Sequence, residues 1–470
     1  MEILIIFLYF CFFSWLAWKN FRLALIFFII LLPSYLIRFK IGPFPSTVLE
    51  LTFGSLFFVW LVKYSRQDWK KIWAISKKHV WFFVALDLFF VASVVSIFVS
   101  DMWWFSLGEW RAYFLEPMIF FLILLGRSSS PSYQEGVGGV AGSVIVQAAS
   151  LTPTPPKRGI LTAADLIWAL AFSTLSISIY AIIQKFTGWG IATPQWAEES
   201  GRRVTAFFTS PNAVGLYLAP VLMLTVSVIA STPRGINSAK QSHGTVERTE
   251  GLPRRPAIAG LLAMTIFAVL AIIFTKSQGA LIGLGAGILV FLFFSGYKKI
   301  AAAVAILAII VALAVPSMRQ AVLFQDTANQ NRLRLWGYTQ IFLTQSPKNF
   351  VLGTGVRQFF RKAQKPYYDK IVMERLIYPH NFFLNFWTEV GLIGMLAMMT
   401  ILGYSFFLAY RIGRQNKIIS AGLFGALTVL LIHGLVDVPY FKNDLAFLFW
   451  VIIVLPFYFD PIVRATVSHS

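Results

Sequence analysis

Two short stretches near the end of the chain carry side chains that hydrocarbon tolerates poorly. In YPHNFFLNFWTEVGLIG (378–394), His380 and Asn381 head an apolar run, and Glu389 follows within its first turns. In HGLVD, His433 and Asp437 stand one helical turn apart and share a helix face. An imidazole titrates near neutral pH and can take the proton of an attacking hydroxyl, which is general-base work. Either histidine could instead be a helix-end residue bonded to a carbonyl or water. Of the five histidines, the other three are placed less suggestively. His79 follows Lys77–Lys78, His243 lies in a linker, and His469 is in the tail.

Arginines form the second set. GRRVTAFFTSPN (201–212) brings Arg202 and Arg203 to the mouth of a helix that opens at Pro211, with Ser210 as its expected N-cap and Asn212 in its first turn. Arg332 and Arg334 lie in a separate basic stretch. Arginine grips phosphate with a rigid two-pronged donor set that lysine lacks; anchoring to anionic lipid headgroups is the competing role. Glu389 and Asp87 (in VWFFVALDLFFVASVV) could each simply bond a neighbouring helix. No phosphate-cradling glycine loop, HExxH or GxSxG is present. The single Cys11 rules out an internal disulfide and a cysteine-rich metal site, so neither metal nor cofactor is expected.

What positions these residues is a set of long apolar runs. The chain is 57% hydrophobic and 13% charged, against roughly half and a quarter for soluble domains. Runs such as 257–274 and 299–315 are long enough to cross a bilayer. The expected fold is all-α, a polytopic membrane bundle of about 12–13 transmembrane helices. Runs lie near 3–17, 22–37, 47–62, 80–99, 112–125, 161–185, 211–230, 257–274, 279–295, 299–315, 380–410, 418–436 and 443–459. The first lacks a basic leader and a small-residue cleavage site, and reads as a retained helix. The chain divides into N-terminal helices (1–125), a disordered linker (126–160), central helices (161–315, with a flexible loop at 231–256), a long loop (316–379) and C-terminal helices (380–470).

Short basic connectors at 63–78, 297–299 and 411–417 assign one face to the cytoplasm. The opposite face then receives 187–210, 316–379 and the start of the 380–410 helix, so His380 opens outward. The formal charge of +20 fits such connectors, and nucleic acid is not an expected partner. Segment 316–379 holds ten Lys/Arg against three Asp/Glu, a balance of +7. Within it, NRLRLWGYTQIFLTQ places Leu333, Trp336 and Ile341 at helical spacing, as in an amphipathic helix on the outer interface. An outward basic pocket among membrane lipids calls for an anion, and lipid phosphate is the common one.

Four stretches then carry a family resemblance. His380–Asn381, nine residues, Gly391, two residues and Gly394 resemble the signature of the O-antigen ligase/polymerase superfamily of bacterial inner membranes. RVTAFFTSPNAVGLYL (203–218), KSQGALIGLGAGILVFLF (276–293) and NRLRLWGYTQIFLTQSPKNFVLGTGVRQFF (331–360) are similar to its other motifs, in order, so the resemblance covers about 200–440. It implies a glycosyltransferase on the periplasmic side that takes a glycan from an undecaprenyl-pyrophosphate carrier. The acceptor is the lipid A core or another surface glycan or protein for a ligase, and another repeat unit for a polymerase. It further implies that Arg203 and Arg332 hold the pyrophosphate and that His380 is the base. Relatives read Ser-Arg-Gly where this chain has Ser277–Gln278–Gly279; Lys276 is the available substitute. One dominant external loop favours the ligase over the polymerase. A lipid-linked glycan transporter would need charges deep in several helices, and Asp87 stands alone.

Overall fold

The computed structural model describes residues 2–41, 44–128, 159–231, 255–368, 375–460 and 463. The disorder expected of the two linkers falls almost wholly outside the described residues. The protein is an all-α membrane bundle. Its helices are α1 (Glu2–Lys19), α2 (Phe21–Ile30), α3 (Val48–Lys63), α4 (Ser65–Lys78), α5 (Val80–Val99), α6 (Trp103–Trp110), α7 (Glu116–Gly126), α8 (Ala163–Thr187) and α9 (Pro211–Ser231). There follow α10 (Arg255–Thr275), α11 (Gln278–Phe294), α12 (Lys298–Ala314), α13 (Pro316–Val322), α14 (Thr327–Thr344), α15 (Pro347–Leu352), α16 (Phe382–Gly413), α17 (Lys417–Gly434) and α18 (Asn443–Phe459).

Polar caps decide where these helices begin, because the first backbone N–H groups of a helix need acceptors. Thr47 and Glu50 form a capping box at α3, and Thr162 and Asp165 form another at α8. Ser277, Asp326, Ser346, Asn381 and Asn416 accept from backbone N–H groups at the starts of α11, α14, α15, α16 and α17. Six helices among the described residues are long and apolar enough to span a membrane, or up to eight if two sharply bent pairs each count as one. That is fewer than the 12–13 expected. Four further apolar helices are short, at 10–17 residues. The run 22–37 illustrates the reason: Pro33 cannot continue a helix, so α2 stops at Ile30 and a 3₁₀ turn, Leu32–Leu36, follows. A small hairpin, Arg38–Ile41 paired antiparallel with Phe44–Thr47, was not foreseen.

The core centres on α18, whose residues are buried throughout, and on the packing of α9, α11 and α17 against one another. His79, at the head of α5, lies 3.0 Å from Tyr404 Oη, and Arg411 lies 3.5 Å from Asp460. Position 79 and the basic connector at 411–417 therefore share one end of the bundle. Lys362 donates to the Val99 carbonyl at the far end of α5, and Tyr378 donates to Phe441. The described parts of 316–380 thus cover the opposite end, with Arg357 bonded to Glu109 at 2.6 Å and Lys362 to Asp101 at 3.1 Å.

Helix α16 is broken at Gly391, where φ is 75° and ψ is 176°. Only glycine populates that region freely. A Cβ there would lie 2.4 Å from the Val351 carbonyl oxygen. The Gly391→Ala variant is therefore expected to lose at least about 1–3 kcal/mol of stability. Lower abundance and a lower melting temperature in detergent would register it; an unchanged melting temperature would mean that the break is not required.

Candidate active site

The turn between α17 and α18 holds Asp437, and three elements converge on it. His380 Nδ1 lies 3.3 Å from Asp437 Oδ1. Asn212, in the first turn of α9, donates its Nδ2 to Asp437 Oδ2 at 2.9 Å. The Val438 N–H donates to Oδ1 at 2.9 Å. A carboxylate only accepts, so Nδ1 of a neutral His380 carries the ring proton and Nε2 keeps its lone pair. Burial alone would push the Asp437 carboxyl up. The hydrogen bond and charge of His380, with His433 and the Val438 N–H, outweigh burial and hold it well below the usual carboxylate range. A depressed carboxyl contributes stability above its unfolded pKa and loses it only as pH falls through the folded value. The pairing therefore persists through neutral and mildly acidic conditions.

His380 is held from both sides. It adopts φ 50°, a left-handed conformation that histidine tolerates better than most residues. Asn381 caps α16 by accepting from Phe383 and Leu384 N–H groups at 3.1 Å, and donates its Nδ2 to the Leu435 carbonyl at 3.0 Å. The start of α16 is thereby stapled to the Asp437 turn. On the other side, Trp336 Nε1 donates to the Pro379 carbonyl at 3.0 Å, so α14 braces the residue before His380.

Arg332 precedes Trp336 by one turn of α14 and shares its face. Its Nη1 donates to Asn329 Oδ1 at 2.7 Å, and Asn329 is itself tied to Asp326 and the Ala321 carbonyl. His433 is buried and interacts electrostatically with both Asp437 and Arg332. The face of α14 turned inward is Leu335, Thr339 and Phe342, with Trp336 half-buried. Leu333 and Ile341 were expected to share a face with Trp336, but both lie on the exposed side. The reason is angular: at 100° per residue, 333 and 341 fall roughly opposite 335 and 342. Arg334 is exposed on that same outer side, directed away from the dyad.

Arg203 approaches from another corner. Its Nε donates to the Thr275 carbonyl at 2.9 Å, and the Val204 N–H to the Phe274 carbonyl at 3.2 Å. Lys276 follows with φ 51° and an exposed side chain. One turn on, Gly279 abuts His433; a Cβ at 279 would lie 2.9 Å from the ring. The 274–279 corner thus links Arg203 to His433 through contiguous contacts, although no direct bond among the described residues joins Arg203 to His380 or Arg332. Arg202 is occupied elsewhere. It donates to the Ala197 and Lys185 carbonyls at 3.0 and 2.9 Å, closing the end of α8. Glu389 is buried and accepts the Arg357 N–H at 2.6 Å, which fixes the loop after α15 rather than touching the dyad.

The sequence reading passed over three supports. Gln184, buried in α8, accepts from the Thr205 and Ala206 N–H groups at 2.9 and 2.8 Å and so shapes the loop that carries Arg203. As a lone amide in an apolar run it was visible in principle, since such groups are rarely idle in membranes. Asn329 and Trp336, which orient Arg332 and His380, gave no comparable signal. Among the described residues no group of three or more His, Cys, Asp or Glu side chains is placed to hold a metal ion.

A His–Asp pair, two separate arginines and a long covering segment lie toward one end of the membrane bundle. Residues 263–399 match the family model described as O-antigen ligase. Over that segment the match supports the O-antigen ligase superfamily. The matched region runs from within α10, through α11–α15 and the loop bearing His380, into α16. No curated protein matches the chain. At the family level, O-antigen ligases are glycosyltransferase-type membrane enzymes, and Arg332, His380, Asn381 and Glu389 fall inside the matched segment while Arg203 and Asp437 flank it.

Proposed function

We propose that this O-antigen ligase-family protein transfers a glycan from an undecaprenyl-pyrophosphate carrier to an acceptor hydroxyl, on the lipid A core or another surface acceptor, at the outer face of the cytoplasmic membrane. The observation that carries the reading is the His380–Asp437 pair at 3.3 Å, with His433 interacting electrostatically with both Asp437 and Arg332. In this scheme the acceptor oxygen attacks the anomeric carbon while its proton passes to His380 Nε2. The bond from that carbon to the pyrophosphate oxygen breaks, and its electron pair leaves with the phosphate. The reacting sugar passes through an oxocarbenium-like state, and a single displacement inverts its configuration. Arg203 and Arg332 present fixed donors to the charge that grows on the leaving group, where preorganised positive charge lowers the barrier most. Asp437 keeps the imidazole in the tautomer that leaves Nε2 free, as in other His–Asp pairs.

Purified protein in proteoliposomes, supplied with an undecaprenyl-linked oligosaccharide and a panel of acceptors, tests the proposal with products read by mass. Glycan on a lipid A core supports a ligase; extension of the donor's own repeat would assign polymerase activity instead. No product with any acceptor would remove the transferase. In the same assay Asp437→Asn is expected to reduce transfer by between about 10² and 10⁴-fold, because the amide can also donate and no longer enforces one tautomer. Full activity in that variant would detach Asp437 from the mechanism.

A further inference from the structure

Helix α5 carries one carboxylate, Asp87, on the side turned away from the bundle. The packed face of this span is Phe82, Leu86, Phe89 and Ser93. Exposed beside Asp87 are Val84, Leu88, Val91 and Val95, a stripe at helical spacing. Trp81 and Phe98 stand exposed at its two ends, in the way that aromatic residues mark membrane boundaries. Asp87 lies seven residues from the start of a 20-residue span, about 10 Å along the axis at 1.5 Å per residue. Its short side chain cannot reach either end. No hydrogen bond or ion pair meets it among the described residues.

An acid in that position is costly in lipid, and intramembrane acids almost always face a partner or a wet cavity. The glycosyl-transfer chemistry proposed above makes no use of it, since His380 belongs to the opposite end of the bundle. We propose that this face of α5 docks the transmembrane helix of a second membrane protein that carries a lysine or arginine at matching depth. Charge complementarity selects that occupant. Among the described residues, the long apolar helices of a second copy offer no such cation: Lys19, Arg22, Lys63, Lys185, Arg255, Lys298, Arg411 and Lys417 all lie at or near helix ends, and Lys70, Lys71, Arg332 and Arg334 belong to the less apolar α4 and α14. Two copies meeting through α5 would set Asp87 against Asp87.

The test uses the full chain, labelled with a donor fluorophore and co-reconstituted with a synthetic single-span leucine-alanine helix bearing an acceptor. One probe carries lysine seven residues from its cytoplasmic end; the control carries leucine there. The lysine probe is expected to associate about tenfold more tightly with the wild-type chain, a preference that Asp87→Leu abolishes and Asp87→Glu keeps. Asp87→Asn, nearly isosteric, replaces the leucine variant if that one fails to insert. Equal association of both probes, or a lysine preference that survives loss of the carboxylate, overturns the proposal. So does Asp87-dependent disulfide crosslinking between copies of a Val91→Cys variant, which would assign the face to self-association.

Discussion

Replacing His380 by alanine is expected to reduce glycan transfer by roughly 10²–10⁴-fold while leaving membrane insertion and abundance unchanged. The asymmetry follows from how the ring is held. About a quarter of the His380 side chain is exposed. Its chief polar partner, Asp437, retains the Asn212 amide and the Val438 N–H when the imidazole is removed. Little packing is lost, and no buried acid is stranded. His433 makes the opposite comparison. It is buried against Gly279 and Gly283, so His433→Ala opens a cavity between α11 and α17 and is expected to lower abundance first. Transfer measured per folded molecule, by quantifying protein alongside product, separates the two. Normal turnover by the His380→Ala variant would mean that another group takes the proton.

The division between what was legible in the chain and what was not follows physical scale. Long apolar runs declare themselves by hydropathy alone, and α5, α8, α9, α16 and α17 begin and end within a few residues of the runs that announced them. Where a span is interrupted, composition averaged over a window is blind to the break. The sharp bend between α3 and α4 depends on local backbone geometry, and the non-helical turn at Gly391 is fixed by the closeness of Val351, a residue 40 positions earlier. The polar side chains that gather at the candidate site, His380, Asn212, Arg332 and Asp437, stood out in the sequence because their types are out of place beside hydrocarbon. The pairing of His380 with Asp437 was not, because it joins segments 57 residues apart. The sequence grouped Arg202 with Arg203, and Arg334 with Arg332, since neighbours in a chain look equivalent. On a helix, positions two apart face nearly opposite ways, and in a loop the nearer carbonyl claims the guanidinium.

That same distinction gives the second large effect. Lysine at 332 or at 203 is expected to reduce transfer by about 10–100-fold, and alanine at either position by about 10²–10³-fold. In the proposed site each guanidinium divides its donors between structure and ligand. Arg332 spends Nη1 on Asn329, and Arg203 spends Nε on the Thr275 carbonyl. Among the described residues the remaining N–H groups of each donate no hydrogen bond, and the proposed site gives them to a phosphate oxygen pair. A lysine ammonium retains the charge but is a single point on a flexible stem, so it cannot hold its bracket and present two parallel donors together. Loss at kcat rather than at KM would show that the grip tightens as the leaving group takes on charge. If both arginines hold one pyrophosphate, the double lysine variant should fall short of the product of the single effects, because the first substitution already loosens what the second would release. Arg334→Ala is the internal control: exposed on the far side of α14, it should leave turnover within a factor of about two. Wild-type rates in both lysine variants would show that the anion is held elsewhere, and the site would then have to be rebuilt around the dyad alone.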